Sequence, residues 1–259
     1  TLFILLVILT IVSLFIGVSQ LSLIDIFHLS DEQMNILFSS RIPRTVSILL
    51  SGSSLALSGL IMQQMMQNKF VSPTTAGTME WAKLGILLSL LFFPNGHILI
   101  KLLFAVVLSI VGTFLFVQLI NLIRAKDVIF VPLLGIMIGG ILSSFTTFVA
   151  LRTNALQSIG NWLTGNFAVI TSGRFEVLYL TIPLLILAFV FANHFTIAGM
   201  GKDFSHNLGV SYEKIIKIAL FITATLTALV VVTVGTLPFL GLIVPNIISI
   251  YRGDHLKNA

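Results

Sequence analysis

The fold expected of this chain is decided by residues 41–73, RIPRTVSILLSGSSLALSGLIMQQMMQNKFVSP. Two arginines flank a proline at its start, and an apolar run of about one bilayer thickness follows before glutamine and asparagine side chains end it. A helix that is apolar on every side leaves too much surface uncovered in water, whereas in lipid a helix satisfies its own backbone hydrogen bonds. The stretch therefore predicts a membrane-spanning helix from about Thr45 to Met65.

The composition of the whole chain is typical of a membrane protein. The mean hydropathy is +1.09, and charged residues make up 9% of the chain, against roughly 25% in ordinary globular domains. These values exclude a soluble or a disordered protein. The formal net charge of +5 comes from basic residues scattered among loops, so it indicates no nucleic-acid partner. The chain has no cysteine, which excludes a disulfide framework and a thiolate metal site.

About eight hydrophobic segments follow one another, and we predict an all-α, polytopic membrane helical bundle in a single transmembrane domain over residues 1–259. The first segment lacks the basic start and the small-residue cleavage site of a signal peptide, so we interpret it as a first span. The last segment is shorter than the roughly 17–25 residues of a full span. The segments cover about residues 1–19, 45–65, 74–93, 98–122, 129–151, 175–195, 214–234 and 237–250.

The connection between the first two spans contains a helix start of its own. Ser30 stands directly before Asp31 and Glu32, a pattern typical of a capped helix, so we predict a short surface helix there. Further along, Pro43 favours an extended Ile42 and would hold the two neighbouring arginines on a stiff rim.

The basic residues of the loops indicate the orientation of the chain. A cytoplasmic amino terminus leaves more lysine and arginine on the cytoplasmic side, where Arg124 and Lys126 lie, than on the outer side. We therefore predict that Arg41 and Arg44 face outward and that the loop at 200–217 faces the cytoplasm.

Two predicted spans carry small residues at helical spacing, which places those residues on one face of each helix. Small side chains let neighbouring helices approach closely in lipid, so both stripes predict helix–helix contacts. The stripes are Gly52, Ala56 and Gly59, continued by Gln63, and Gly135, Gly139 and Ser143.

Glu80 and Lys83 stand three residues apart inside a predicted span, where an isolated charge is expensive. At this spacing the two side chains can pair, which lowers the cost. The pair is either a self-neutralising structural element or a polar site on an ion pathway. The second interpretation would make the protein an ion-coupled secondary transporter.

Other chemistry is not indicated by the sequence. The histidines, at positions 28, 97, 194, 206 and 255, lack the spacing of a metal site. The run at 199–203, GMGKD, lacks the spacing of a phosphate-binding loop. We therefore expect no metal site, no nucleotide site and no catalytic residue in this chain.

Three blocks of sequence resemble, in this order, the FecCD-like permeases, a bacterial family that imports iron–siderophore complexes, haem and cobalamin. The first block is RIPR followed by the small-residue helix and NKFVSP at 68–73, with Lys69 where the family has a proline. The second is MGKDFSHNLGV at 200–210, which is similar to the family's cytoplasmic coupling segment. The third is GLIVPN at 241–246, with Asn246 where the family has a histidine.

The resemblance implies the transmembrane permease subunit of an ATP-binding-cassette importer. Such a subunit translocates an iron–siderophore complex or a related metal chelate across the bacterial cytoplasmic membrane. The implied partners are a second permease subunit, a cytoplasmic ATPase dimer and an extracytoplasmic substrate-binding protein. The ATPase binds ATP and Mg, whereas the permease binds no cofactor and is not an enzyme.

The resemblance also implies roles for particular residues. Arg41 and Arg44 would meet glutamates of the binding protein, the alternative being an anchor in lipid headgroups. The two small-residue stripes would line a central pathway, the alternative being helix packing alone. The coupling segment would dock on the ATPase, the alternative being a solvated loop. Its residues are Gly201, Lys202, Asp203, Phe204, His206, Leu208 and Gly209, with Val210 as a further apolar anchor.

One departure concerns length. Members of the family usually have ten spans, and the last two follow a segment that appears here as Gly253, Asp254 and His255. The chain stops at Ala259, so we expect an incomplete chain that lacks the carboxy-terminal spans.

Overall fold

The computed structural model describes residues 2–16, 30–123 and 127–252. Within them lie twelve α-helices, a π-helical turn at Leu37–Arg41 and 3₁₀ turns at Phe167–Val169 and Phe175–Leu180. The helices are α1 (Leu2–Phe15), α2 (Asp31–Ile36), α3 (Ile42–Met65), α4 (Thr78–Phe92), α5 (Ile98–Leu122), α6 (Phe130–Arg152), α7 (Leu156–Leu163), α8 (Thr181–Val190), α9 (Ala192–Gly199), α10 (Lys202–Asn207), α11 (Tyr212–Thr233) and α12 (Leu240–Arg252). Outside the described residues lie Asp25, His28, Arg124, Lys126 and residues 253–255.

Four helical stretches in the described part of the chain are long and apolar enough to cross a membrane. They are Asp31–Met65, which joins α2 to α3, and the helices α5, α6 and α11. A fifth results if Phe175–Val190 and Ala192–Gly199, which meet at a bend of 58°, form one span. The predicted all-helical membrane bundle is therefore confirmed, and the count of about eight spans stays a prediction.

The predicted helix start at Ser30 is confirmed. The Ser30 hydroxyl accepts a hydrogen bond from the Gln33 backbone N–H at 3.3 Å, and the Gln33 side chain accepts one from the Ser30 N–H at 2.9 Å. This reciprocal cap satisfies two backbone donors at the helix start. The helix is not a separate surface element, however, because it continues through the π turn into α3 over 35 residues.

The expectation of an extended Ile42 is wrong. Ile42 is helical, with φ −63° and ψ −51°, and its N–H bonds to the Leu37 carbonyl five residues back. Pro43 has no N–H to offer the Ser39 carbonyl. That carbonyl accepts instead from the Ser172 backbone N–H at 3.1 Å. The π turn and a distant loop together keep the proline inside a continuous helix.

The centre of the bundle is α11. Of its most apolar stretch 72% is buried, and the helix packs against α3, α4 and α5 as well as α8 and α9. Ala228, Leu229 and Val230 are each at most 1% exposed and share a core with Leu55 of α3 and Ile86 of α4. Burial around the whole helix is typical of an element surrounded by others.

Candidate functional site

A short helix stands where the coupling segment was predicted. α10 lies between Gly201 (φ +108°) and the turn at Gly209 (φ +71°), two backbone conformations that favour glycine. Phe204 and Leu208 are 47% and 54% exposed, and Lys202, Asp203 and His206 are exposed beside them. Two outward apolar side chains with a charged surround are typical of an interface anchor and its rim.

The inner face of α10 is fixed to the body of the protein. Ser205 is fully buried, and its hydroxyl lies 2.8 Å from the Gly201 carbonyl oxygen and 3.2 Å from that of Ile197. Val210 packs inward against the core around α9 and α11, so the expectation that it anchors a partner beside Phe204 is wrong. Sequence reasoning missed Ser205, because a serine in a polar segment gives no sign of burial.

The two arginines of RIPR lie in different surroundings from those expected. Arg41 is 4% exposed. Arg44 is half-buried and donates from Nη2 to the carbonyl oxygens of Ser13 and Ile16, each at 2.9 Å. The exposed stiff rim predicted for both arginines is therefore wrong. The guanidinium of Arg44 caps the carboxyl end of α1, where backbone carbonyls lack helical partners.

Removing this cap gives a testable consequence. We expect Arg44→Met to lower the unfolding midpoint of the detergent-solubilised protein and to speed amide exchange in α1. Charge-assisted hydrogen bonds of this kind contribute about 1.5–3 kcal/mol. The matched control is Arg152→Met, which removes an exposed arginine at the end of α6. Equal effects of the two substitutions would contradict the capping role.

The small-residue stripes are used mainly for close packing. A Cβ on Gly59 would lie 1.7 Å from the Gly241 carbonyl oxygen of α12, and one on Gly135 would lie 2.0 Å from that of Thr75. A Cβ on Gly139, in contrast, would lie 3.4 Å from the Glu80 Cγ, which is an ordinary van der Waals contact. A Cβ on Gly52 would have no neighbour within 4 Å in the described part of the chain beyond its own helix backbone. Among the remaining members of the stripes, Ala56 and Ser143 are half-buried.

Gln63 ends the first stripe beside a cavity between α3 and α9. The cavity has a volume of about 320 Å³, and its lining includes Gln63, Gln64, Gln67 and Lys69. Gln63 is 6% exposed, and its amide nitrogen has no hydrogen-bond partner among the described residues. An unsatisfied buried donor beside a cavity is suited to a ligand or water that offers an acceptor.

Glu80 and Lys83 form the predicted ion pair, with Oε1 and Nζ 2.6 Å apart. Both side chains are about four-fifths buried, and the second carboxylate oxygen of Glu80 has no partner in the described part of the chain. The pair lies where α4 meets Gly139 of α6. Contact with a packed helix favours the structural interpretation.

A double-mutant cycle tests that interpretation. Glu80→Gln or Lys83→Met alone should lower both transport and the unfolding midpoint, because each leaves one buried charge without its partner. The double variant should transport nearly as well as the parent. A double variant that folds normally but does not transport would instead place the pair on the transport pathway.

A cluster of two cations and an indole lies on another part of the surface, and sequence reasoning missed it. Lys101 Nζ and Arg174 Cζ lie 5.3 and 4.1 Å from the centre of the Trp162 ring. Lys101 also donates to the Gly96 carbonyl oxygen at 2.6 Å. Burial lowers the pKa of Arg174 from its usual value, although a guanidinium remains charged at neutral pH. Cation–π contacts thus fix α7 to the start of α5.

Among the described residues, no group of three or more histidine or acidic side chains is placed to hold a metal ion.

Two permease proteins of known import systems are similar to this chain over most of its length. The petrobactin import system permease protein YclN of Bacillus subtilis is 54% identical over 258 residues, which cover 100% of this chain and 82% of the relative. The petrobactin import system permease protein FatD of Bacillus anthracis is 39% identical over 252 residues, which cover 97% of this chain and 74% of the relative.

A solved structure of an ABC transporter in an inward-facing conformation, assigned to the metal-chelate type, matches with a TM-score of 0.79. The match covers 99% of this chain and 82% of that chain at 24% identity, so it shows the fold alone. The FecCD transport family matches residues 5–259. With nearly its whole length matched, the chain belongs to the FecCD transport family.

Proposed function

We propose that this chain is the permease subunit of an ATP-binding-cassette importer that carries an iron–siderophore complex across the bacterial cytoplasmic membrane. Family membership supports the permease role, and the names of the two relatives support a siderophore as the cargo. Ferric petrobactin is therefore the first substrate to test. The structural observation that carries the proposal is α10, which exposes Phe204 and Leu208 between α9 and α11.

Eight membrane segments with a cytoplasmic amino terminus complete the proposal. The segments are α1, α3, α4, α5, α6, the bent pair α8–α9, α11 and α12. In this arrangement successive segments cross the membrane in opposite directions, and contacts between the loops support it. Arg44 joins α1 to α3, and Lys101 and Arg174 meet at Trp162, all on the proposed outer side. The turn at 66–70 contacts the segment before α10 on the proposed cytoplasmic side.

In this importer the permease makes no covalent change. The partner ATPase dimer binds ATP and Mg, and its movement reaches the membrane through α10. Phe204 and Leu208 anchor the helix in a groove of the ATPase, with Lys202, Asp203 and His206 at the rim. Gly201 and Gly209 provide the turns at the two ends of the helix. The permease pair then alternates between inward- and outward-open states.

The pathway and docking residues are revised in this proposal. Gln63 is the best-supported pathway residue because its amide lies beside a cavity, whereas Gly59 and Gly135 are occupied by helix packing. The outer end of α3 remains the docking region for the binding protein. There Arg44 positions α1, so its task is to shape the docking surface and not to meet a partner carboxylate directly.

Reconstitution tests the proposal. Proteoliposomes containing the permease pair and its ATPase, supplied with the binding protein, should take up radiolabelled ferric petrobactin only when ATP is present. Uptake should persist after an ionophore has collapsed the membrane potential. Uptake that needs no ATPase and disappears with the potential would replace the proposal with an ion-coupled transporter using Glu80 and Lys83.

A further inference from the structure

The turn that leaves α3 connects to three other helices through three consecutive residues. The Gln67 side chain bonds to Gly199 at the end of α9, and that of Asn68 to Val128, two residues before α6. The Lys69 side chain bonds to Ser249 of α12. The segment after α9 is α10, the proposed ATPase contact. These three residues thus link the region of α10 to α6 and α12.

Gln67, which makes the first connection, has an unusual backbone conformation. The Asn68 N–H bonds to the Gln63 carbonyl at 3.0 Å and the Gln67 N–H to the Gln64 carbonyl at 3.2 Å, which together form a Schellman motif. Gln67 occupies the left-handed position of that motif, with φ +48°, where glycine is the usual residue. A side chain is costly there and is retained only where surrounding contacts stabilise it.

The Gln67 side chain supplies such a contact. Its Nε2 donates to the Gly199 carbonyl oxygen at 3.0 Å, at the last residue of α9. A Cβ on Gly201 would lie 3.4 Å from the same Nε2, so both glycines that lead into α10 lie against Gln67. Ser205 ties α10 back to Ile197 and Gly201. Hydrogen bonds therefore link α10 to Gln67 through the end of α9.

The second connection leads to α6. Asn68 is 6% exposed, and its Nδ2 donates to the Val128 carbonyl oxygen at 2.8 Å. Its Oδ1 accepts from the Phe70 N–H at 2.9 Å, which fixes the orientation of the amide. Val128 lies two residues before α6.

The third connection involves two positions at which this sequence departs from the family pattern, Lys69 and Asn246. Asn246 Nδ2 donates to the Lys69 carbonyl oxygen at 2.9 Å and to that of Leu242 at 2.8 Å. Lys69 Nζ in turn lies 3.2 Å from the Ser249 hydroxyl. The turn is therefore held to α12 by both its backbone and its side chain.

We infer that Gln67, Asn68 and Lys69 form a transmission node, which passes movement of α10 to α6 and α12. The inference rests on the proposed function, because it takes α10 as the element that the ATPase moves. These are positioning residues: they act through the helices they hold and need not touch the substrate. The turn is held as a unit by the bonds from the Asn68 N–H to the Gln63 carbonyl and from the Phe70 N–H to Asn68 Oδ1, so a pull on Gln67 reorients the bonds made by the next two residues.

Gln67→Gly is the informative variant. Glycine favours the left-handed position, so the end of α3 should be as stable as in the parent or more so, while the bond to Gly199 is lost. The conservative variant Gln67→Lys retains a donor and should restore transmission. Gln118→Ala, which changes an exposed glutamine inside α5 without weakening that helix, controls for the loss of a glutamine side chain near the same end of the bundle.

This sequence has no cysteine, so spin labels can be placed at cysteines introduced into it, in an importer whose partner subunits carry no reactive cysteine. Label pairs join Leu115 of α5, as the reference, to Asn207 of α10, to Leu133 of α6 and to Ile250 of α12. In the parent, a non-hydrolysable ATP analogue should shift the α10 distance and both output distances. In Gln67→Gly the α10 shift should persist, and both output shifts should fall to less than about half.

Asn246→Ala gives a second signature, since it should reduce the α12 shift and leave the α6 shift intact. Full output shifts in Gln67→Gly would overturn the node while leaving the proposed function standing. An α10 helix that does not respond to the ATP analogue in the parent would overturn the proposed function and the node with it.

Discussion

Replacing Phe204 and Leu208 together with aspartate should abolish ATP-driven transport while the permease still folds and inserts. Both side chains are about half exposed on α10 and make no large contribution to the core. A carboxylate at either position would have to be desolvated in the groove of the ATPase, without a partner charge. Loss of two central anchors of an interface costs about 2–4 kcal/mol each, which weakens binding by more than about a hundredfold.

The measurements are substrate-stimulated ATP hydrolysis by the reconstituted importer and co-purification of the ATPase with the permease. Phe204→Leu with Leu208→Met keeps the anchors apolar and should retain most of the activity. His206→Ala, on the exposed surface of the same helix, should have a small effect because rim residues contribute little. Normal stimulation and normal co-purification in the double aspartate variant would remove α10 from the coupling interface.

Local signals in the sequence predicted part of this site well. Ser30 was identified as a cap because Asp31 and Glu32 follow it directly, and the structure adds the reciprocal bond to Gln33. The family resemblance indicated a coupling segment at 200–210, with a solvated loop as the alternative, and α10 lies within that segment. These features depend on neighbours along the chain, which a sequence displays directly.

The errors concern contacts between distant segments. Pro43 stays helical because the Ser39 carbonyl, which Pro43 cannot serve, accepts a hydrogen bond from the Ser172 N–H. The sequence around Pro43 does not indicate that Ser172 lies there. The contacts of Arg44 with the Ser13 and Ile16 carbonyls were missed because the positions of those residues could not be known. In lipid the whole surface of a span is apolar, so hydropathy does not tell which face meets another helix.

The same difficulty affects the first small-residue stripe, whose members share a face but not an environment. Gly59 lies against the backbone of α12, while a Cβ on Gly52, seven residues earlier, would have no neighbour within 4 Å among the described residues beyond its own helix backbone. Sequence spacing treats the two glycines alike. Identical substitutions at both positions therefore separate packing from the lining of an open space.

Gly59→Ala should destabilise the protein strongly, and Gly52→Ala should not. The new Cβ at Gly59 would lie 1.7 Å from the Gly241 carbonyl oxygen, and a backbone atom cannot turn away as a flexible side chain can. α3 and α12 would have to separate, at a cost of about 1–3 kcal/mol for overpacking. At Gly52 the methyl group meets open space, and the higher helix propensity of alanine adds up to about 1 kcal/mol of stability.

The unfolding midpoint in detergent measures both effects, and transport shows whether the weakened α3–α12 contact impairs function. Equal midpoints for the two variants would show that α3 and α12 do not pack through Gly59 in the membrane.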